Sequence, residues 1–245
     1  MIKILFILLS LAPFLFAAES VTIPTMNFNL SAPDTPQQLV SSLNVLVVLT
    51  LLFLAPSMVL VMTTFTRFVI VFGFLRQAMG TQQVPPTQLL IMLAMILTFF
   101  VMEPVGTKAY EAGIKPYLAE EIGYEEAFSK TTLPFKSFMI RNTREKDLAL
   151  FFRIRKMENP QTIADVPLSI IIPAFVISEL KTAFEVGFLI FLPFLVIDMV
   201  VASILMSMGM MMLPPVMISL PFKILVFVLI DGWNLLIGNL IASIK

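Results

Sequence analysis

The sequence predicts an all-α, membrane-associated protein made of two kinked helical hairpins, with a small helical domain inserted between them. Hydrophobic residues make up 58% of the 245 residues and charged residues only 13%, whereas soluble domains average about 45–50% apolar and about 25% charged residues. The apolar residues form long runs on either side of one hydrophilic stretch, 103–166. The frame M-G-x-x-x-apolar-P-P occurs at 79–86 and again at 208–215, which predicts two equivalent turns.

The composition also restricts the chemistry. The chain has no cysteine, which excludes disulfides and thiolate chemistry, and no histidine, the commonest metal ligand and the usual general base near neutral pH. The 16 basic and 16 acidic residues cancel, so the net charge gives no indication of nucleic-acid binding. We therefore expect no metal site, no cofactor and no nucleic-acid partner.

Residues 1–20 are predicted to be a signal peptide. Lys3 supplies a positive charge, residues 4–16 form an apolar run too short for a standard span, and the small residues up to Ser20 offer a cleavage site. An uncleaved anchor is the alternative, and both interpretations place the next segment outside the cytoplasm. Residues 21–42 are polar and contain three prolines, which predicts an extended extracytoplasmic linker.

Residues 43–102 are predicted to form the first hairpin. Residues 43–66 carry no charge and are long enough to span a bilayer, and Pro56 is expected to kink this helix. Arg67 and Arg76 follow this run. By the positive-inside rule they are expected to flank the cytoplasmic side of the membrane.

The tip of the first hairpin, 79–86, is predicted to reverse the chain because a diproline cannot continue the preceding helix. The return run, 89–102, has only 14 residues, or about 21 Å of helix. That length is short of a bilayer core of about 30 Å. The residues expected to form this tip are Gly80, Pro85 and Pro86.

The hydrophilic domain, 103–166, is predicted to be helical and to lie on the periplasmic side, opposite the tips. Its charges are segregated, with six acids against two bases in 103–126 and eight bases against two acids in 130–156. A solvated helical surface explains this pattern. The alternative is two complementary faces that meet within a protomer or between neighbours, for example Arg153 and Arg155 with Glu125 and Glu126.

Residues 167–245 are predicted to form the second hairpin, bent at Pro193 and turning at 208–215 on the same side as the first tip. Ionisable side chains among apolar helices are costly unless they are paired or face water. Lys181 and Glu185 are four residues apart and share a helix face. The expected turn residues are Gly209, Pro214 and Pro215, and the expected buried or intersubunit charges are Glu179, Lys181, Glu185, Asp198, Lys223 and Asp231.

Three roles remain open for these charges. They can form ion pairs within or between subunits, with Lys223 as the suggested partner of Asp198. Asp198 and Asp231 can instead form a proton or ion relay of a membrane transporter. A catalytic pair of carboxylates, as in an intramembrane enzyme, has little support because the glycine pattern of such enzymes is missing. We therefore do not expect an enzyme.

The second tip contains three consecutive methionines, Met210, Met211 and Met212. Adjacent helical residues lie about 100° apart, so three in succession cannot share one helix face. Between Gly209 and the diproline they are expected to form a loop, and a loop at membrane depth must line a cavity or be buried in protein. Because methionine is flexible and polarisable, a ring of such loops would make a deformable apolar seal. Simple packing is the alternative.

Two long stretches give a specific resemblance. P-A-F-V-I-S-E-L-K-T-A-F (173–184) and L-P-F-L-V-I-D-M-V-V-A-S-I-L-M-S-M-G-M-M-M-L-P-P (192–215) resemble the signature sequences of the FliP family of type III secretion export-gate proteins. The segments at 66–86 and 219–233 match as well, so the resemblance covers about residues 43–245. The injectisome relatives share these signatures. The predicted signal peptide and linker favour the flagellar branch.

The resemblance implies an all-helical subunit that forms a homo-oligomeric ring in the inner membrane, within the flagellar basal body. FliQ, FliR, FlhB and FlhA are the implied partners. The ring would pass unfolded flagellar proteins out of the cytoplasm, driven by the proton motive force, and Met210, Met211 and Met212 match the family's pore seal. The resemblance also implies that the assembled helices sit largely above the membrane plane, which would account for short and charged spans.

Overall fold

The computed structural model describes residues 36–81, 84–157, 162–163, 165–210 and 213–244. Over these ranges every regular element is helical, which confirms the predicted all-α class. The predicted signal peptide and most of the predicted linker lie outside the described residues. The helices are α1 Pro36–Val61, α2 Phe65–Ala78, α3 Thr87–Ala109, α4 Lys115–Leu118, α5 Tyr124–Asn142, α6 Glu145–Arg155, α7 Leu168–Ser207, α8 Pro215–Leu229 and α9 Gly232–Ala242, with a π-helical turn, Tyr110–Ile114, between α3 and α4.

The chain divides into two compact units. The first is Met1–Thr50, of which the structure describes the N-terminal part of α1, and the described side chains there are exposed. The second unit, Leu51–Lys245, contains all the packing and all the contacts described below.

Among the described residues, two continuous helices are long and apolar enough to cross a membrane. The first is Thr87–Leu118, of 32 residues, which consists of α3, the π-helical turn and α4. The second is α7, Leu168–Ser207, of 40 residues. The first of them corrects the expectation that the return run of the first hairpin is too short. Its buried residues continue at helical spacing past the apolar run 89–102, as Met102, Val105 and Ala109. The helix is therefore longer than the apolar run from which its length was predicted. The charged residues beyond position 102 occupy its exposed side.

The predicted span at 43–66 is not one helix. α1 ends at Val61 and α2 begins at Phe65. Between them the Thr63 hydroxyl donates to the carbonyl of Leu60 at 2.8 Å and accepts the backbone N–H of Phe65 at 3.4 Å. A threonine side chain that hydrogen-bonds to nearby backbone groups competes with the helical ladder, which explains a break here in addition to any effect of Pro56.

The last apolar run is also divided. α8 and α9 together are long enough for one span, but they are bent by 64°. Asp231 stands at the break with a φ of 51°, a left-handed conformation that aspartate tolerates better than most residues. A Cβ on the next residue, Gly232, would lie 2.3 Å from the Phe227 ring, so the bend brings the two helices into direct contact.

Two apolar cores hold the second unit together. The first surrounds α2, whose buried side chains recur at helical spacing and pack against α7, α3, α8 and α9. The second joins the C-terminal part of α3, α5, α6 and the beginning of α7. The first core includes Phe68, Val71, Phe72, Leu75, Leu90, Ala94, Phe194, Phe227 and Leu240, and the second includes Met102, Phe138, Met139, Phe152, Ile171 and Phe175.

The hydrophilic segment folds onto the end of the long helix that precedes it. Gly113 lies in the π-helical turn, where α5 crosses so closely that an added Cβ would lie 2.1 Å from the Thr131 hydroxyl and 2.7 Å from the carbonyl oxygen of Ala127. Only glycine permits this approach of two backbones. The crossing fixes the inserted helices against a helix that is apolar enough to span the membrane.

Candidate functional site

The methionine-bearing tip begins where α7 ends. Gly209 has a φ of +76°. Its N–H donates to the carbonyl of Met206 and the N–H of Met210 donates to that of Leu205, both at 3.0 Å. This pair of bonds is the Schellman arrangement that closes a helix with glycine in the left-handed region. The predicted loop therefore starts at Gly209.

The described part of this loop faces away from the protomer. Met210 is 41% exposed, so it does not contribute to the protomer's own core. Pro214 precedes the first residue of α8, and Pro215 is that first residue, where a proline costs no hydrogen bond. Met211 and Met212 lie outside the described residues. The proposed seal thus rests on the position of Met210 and on the two ends of the loop.

The first tip repeats this geometry. Gly80 also has a φ of +76°, and its N–H donates to the carbonyl of Gln77 at 3.0 Å. Thr81 stands where the second tip has a methionine, and its hydroxyl donates to the carbonyl of Arg76 at 3.3 Å. Pro86 then precedes the first turn of α3. The same sequence frame thus gives a left-handed glycine with one matching backbone bond at both tips, and at the first tip the Thr81 hydroxyl makes the bond that a backbone N–H makes at the second.

Lys223 joins the helices that carry the two tips. Its ammonium, on a side chain only 2% exposed, donates to the Asp198 carboxylate at 2.6 Å and to the carbonyl oxygen of Ala78 at 3.0 Å. The Ser219 hydroxyl donates to the other oxygen of Asp198. A Cβ on Gly80 would lie 3.8 Å from the Lys223 ammonium. Lys223 of α8 therefore holds α7 and the end of α2 together, next to Gly80 of the first tip.

A second buried ion pair ties α2 to α7. The Arg67 guanidinium donates through Nε to Glu179 Oε2 at 2.8 Å and through Nη2 to Glu179 Oε1. Its Nη1 donates to the hydroxyl of Ser243 at 2.8 Å, close after α9. The side chains of Arg67 and Glu179 are 3% and 1% exposed. The charge of Arg67 is therefore neutralised inside the protein, and the side of the membrane on which Arg67 lies stays a prediction.

The residue before Glu179 holds the inserted domain. Ser178 is fully buried. Its hydroxyl accepts the backbone N–H of Arg144 at 3.0 Å and donates to the Asp147 carboxylate at 2.6 Å. Arg144 also contacts Asp147 at 3.2 Å and Glu185 at 3.8 Å. The start of α6 is thus anchored to α7 by one hydroxyl and a small ionic network.

The remaining predicted charges are more exposed. Lys181 and Glu185 lie 3.5 Å apart on one face of α7, as their spacing suggested, and both are about half exposed. Asp231 is exposed at the bend between α8 and α9, and it makes no ion pair with any residue that the structure describes. Together with Arg67, the predicted charges therefore form two buried pairs, Arg67–Glu179 and Asp198–Lys223, and one surface pair, Lys181–Glu185. Asp231 has no ion pair among the described residues.

Sequence reasoning missed four residues of this site: Arg67, Ser178, Ser219 and Ser243. For Arg67 a signal was present, because it lies one turn before Val71 on the stripe that also holds Leu75 and Ala78. A base on the buried stripe of an amphipathic helix requires a buried acid. The serines carried no such signal, since a hydroxyl in an apolar helix can equally bond its own backbone.

The described residues hold no group of three or more acidic side chains placed to bind a metal ion. Asp198 is occupied by Lys223 and Ser219. Glu179, Asp198 and Asp147 are thus engaged in holding helices together, and the arrangement supplies contacts between segments.

The chain resembles known proteins along most of its length. The sequence model of the FliP family matches residues 48–240. The chain is 52% identical to the flagellar biosynthetic protein FliP of Bacillus subtilis (strain 168) over 215 residues, which is 88% of this chain and 97% of that protein. It is 55% identical to the FliP of Caulobacter vibrioides over 197 residues, 80% of this chain and 74% of that protein.

A third relative, the FliP of Pectobacterium carotovorum subsp. carotovorum, is 49% identical over 211 residues, 86% of this chain and 82% of that protein. The region matched by the family model contains both tips, both buried ion pairs and the whole inserted domain. It ends before Ser243, which binds Arg67.

Proposed function

The chain belongs to the FliP family, and from this membership together with the geometry of the two tips we propose that it is a core subunit of the flagellar protein-export gate. Its relatives are flagellar biosynthetic proteins, and the family is one of membrane-embedded structural components without enzymatic activity. Like subunits would form a ring that passes unfolded flagellar proteins across the inner membrane.

The observation that carries this proposal is the exposed methionine turn at the end of α7. Gly209 ends the helix and Pro215 begins the next one, so Met210 lies in the turn between two helices. Met210 is exposed in the protomer, which makes it available to like residues of neighbouring subunits. Flexible thioether side chains can close on one another and still yield to chains of many sequences.

The exposed surface supports an assembly. Large apolar side chains are exposed along α3, α7 and α8, and a surface of this kind must be covered by lipid or by protein. In the proposed complex part of it contacts like subunits, part contacts FliQ, FliR, FlhB and FlhA, and the rest faces lipid. The domain at 103–166 would lie on the periplasmic side of the basal body.

The test replaces Met210, Met211 and Met212 with alanine in cells that contain the rest of the export apparatus. We expect a raised ion leak across the inner membrane with secretion of flagellar proteins retained, because alanine is too short to close the ring. The matched control is the triple alanine substitution at three exposed methionines outside the loop, Met199, Met206 and Met217. An unchanged leak in a variant that still assembles would contradict the seal.

A proton- or ion-coupled transporter is the second candidate, and the unpaired Asp231 favours it. Asp198 is a weaker candidate for a relay because its carboxylate is occupied by Lys223 and Ser219. The relay hypothesis predicts that Asp231→Asn abolishes coupling to the proton motive force while assembly is retained. Normal export by Asp231→Asn would remove this candidate without affecting the first.

A further inference from the structure

A basic cleft lies at the turn between α5 and α6, against α7 and the end of α9. It has a volume of about 700 Å³. The hydroxyl residues Thr143, Thr182 and Ser243 line it, and Glu145 is its one acid. The basic side chains that line it are Arg67, Arg141, Arg144 and Lys146. The cleft is separate from the two tips and plays no part in the proposed seal.

Two of the four bases are occupied by acids. Arg67 binds Glu179, and Arg144 contacts Asp147 and Glu185. The other two, Arg141 and Lys146, are exposed and make no ion pair within the part of the chain that the structure describes. Arg141 bonds only to a backbone carbonyl of its own helix, that of Ser137, at 3.3 Å. The cleft thus presents two exposed bases that make no ion pair with any described residue, against Glu145 as the one acid of its lining.

Lys146 lies close to another base, Lys181, as well as to Arg144 and Asp147. The amine of Lys181 lowers the pKa of Lys146, first through a direct side-chain contact and then through charge repulsion, to which Arg144 adds. Like charges so close together destabilise one another. An anion placed between them would turn this repulsion into attraction.

An exposed apolar strip on α7 begins one turn after Lys181. Phe184 and Phe188 follow Lys181 at spacings of three and seven residues, which places all three on one face of α7. Both phenylalanines are more than half exposed, at 56% and 62%. A ligand that suits both the cleft and the strip has an anionic head and an apolar tail.

We propose that this cleft binds the phosphate group of an anionic phospholipid. Arg141 and Lys146 bind the phosphate, Lys181 lies beside Lys146 and keeps its ion pair with Glu185, and an acyl chain lies along Phe184 and Phe188. A free phosphate ion would use the same bases but not the phenylalanines. The choice of a lipid follows from the apolar strip and from the two membrane-spanning helices that border the inserted domain.

The experiment uses the purified full chain in a zwitterionic detergent. Short-chain phosphatidylglycerol, phosphatidylcholine of the same chain length, and inorganic phosphate are titrated separately. Binding is followed by protection of the Lys146 amine from acylation, located by peptide mass spectrometry, and by the rise in the midpoint of thermal unfolding. We expect phosphatidylglycerol to protect Lys146 and to raise the midpoint, and the other two ligands to do so only weakly.

The test variant is Arg141→Gln/Lys146→Gln. Its affinity for each ligand is measured by the rise in the midpoint of thermal unfolding. Both side chains are exposed, so the fold is expected to persist. Affinity for phosphatidylglycerol should fall about fivefold for each base removed. The matched control, Lys115→Gln/Arg153→Gln, removes two exposed bases of the same domain outside the cleft and should leave affinity unchanged.

Three outcomes would overturn the proposal. Equal effects of phosphatidylcholine and phosphatidylglycerol would mean that only the apolar tail binds. An effect of inorganic phosphate as large as that of the lipid would assign the cleft to a free anion. An equal loss of affinity in the test and control variants would mean that the cleft has no special role. None of these outcomes bears on the methionine seal.

Discussion

Ser178 and Glu179 are neighbours on α7, and their side chains bind two different parts of the protein. Ser178 binds the start of α6 in the inserted domain. Glu179 binds Arg67 of α2, which in turn binds Ser243 beyond α9. The inserted domain, the first hairpin and the end of the chain therefore meet at two consecutive residues of one helix.

Ser178→Ala should loosen the inserted domain. The substitution leaves the buried N–H of Arg144 without its acceptor, at an expected cost of about 1–3 kcal/mol in the free energy of unfolding. Hydrogen exchange at the turn between α5 and α6 should become faster, while exchange within α2 stays the same. Ser207→Ala is the control because that hydroxyl is exposed and bonds only within its own helix. Equal effects of the two substitutions would contradict the anchoring role.

Arg67→Met should destabilise the second unit strongly. Removing one partner of a buried ion pair leaves the other uncompensated, which costs about 3–5 kcal/mol. Adding Glu179→Leu should recover a large part of that loss, because the uncompensated charge is then gone. The measurement is the free energy of unfolding in detergent for both single variants and the double variant. Arg76→Met serves as the control, since the bond of Arg76 to Thr87 is exposed, and additive losses at Arg67 and Glu179 would contradict the pairing.

Lys223→Met should alter the position of both tips. It removes the cation that binds Asp198 and the carbonyl of Ala78, so we expect reduced assembly into complexes and increased protease cleavage at both tips. Asp198→Asn retains the side-chain shape and a bond to Ser219 but leaves the buried Lys223 charge uncompensated, so it should be at least as disruptive as Lys223→Met. A cleavage pattern changed at only one tip would mean that Lys223 does not connect them. The readout is the cleavage rate per site in membranes.

Gly113→Ala should disrupt the crossing of the π-helical turn and α5. The new Cβ would meet backbone atoms of Ala127 and Thr131, and overpacking of this kind costs about 1–3 kcal/mol. Gly106→Ala, seven residues earlier, is the matched control, because its Cβ would meet no atom within 4 Å. The two thermal unfolding midpoints should differ clearly. Equal midpoints would mean that the two backbones can move apart without cost.

The sequence predicted the features that local patterns determine. Composition predicted an all-helical membrane protein, and one eight-residue frame predicted two tips whose glycines share a φ of +76°. Charge balance suggested Lys223 as the partner of Asp198, which the structure places together. In each case the cause lies within a few residues or in a simple requirement for neutrality.

The features that the sequence did not predict depend on tertiary contacts. The extent of α3 follows from a buried stripe that continues through charged residues, and composition alone cannot reveal it. The partner of Arg67 is 112 residues away, so local spacing carries no information about it. The bend at Asp231 depends on Gly232 packing against Phe227. The role of Met211 and Met212 stays a prediction.

The length of α7 exceeds the thickness of a bilayer. Its 40 residues amount to about 60 Å of helix, twice a hydrocarbon core of about 30 Å. The stretch 186–207, after the last exposed charge at Glu185, is about 33 Å long and matches that core. A bilayer placed on 186–207 would leave the part that contains Ser178 outside the lipid. One continuous helix joins both parts, so the contacts of Ser178 with the inserted domain and the turn at Gly209 lie towards opposite ends of the same element.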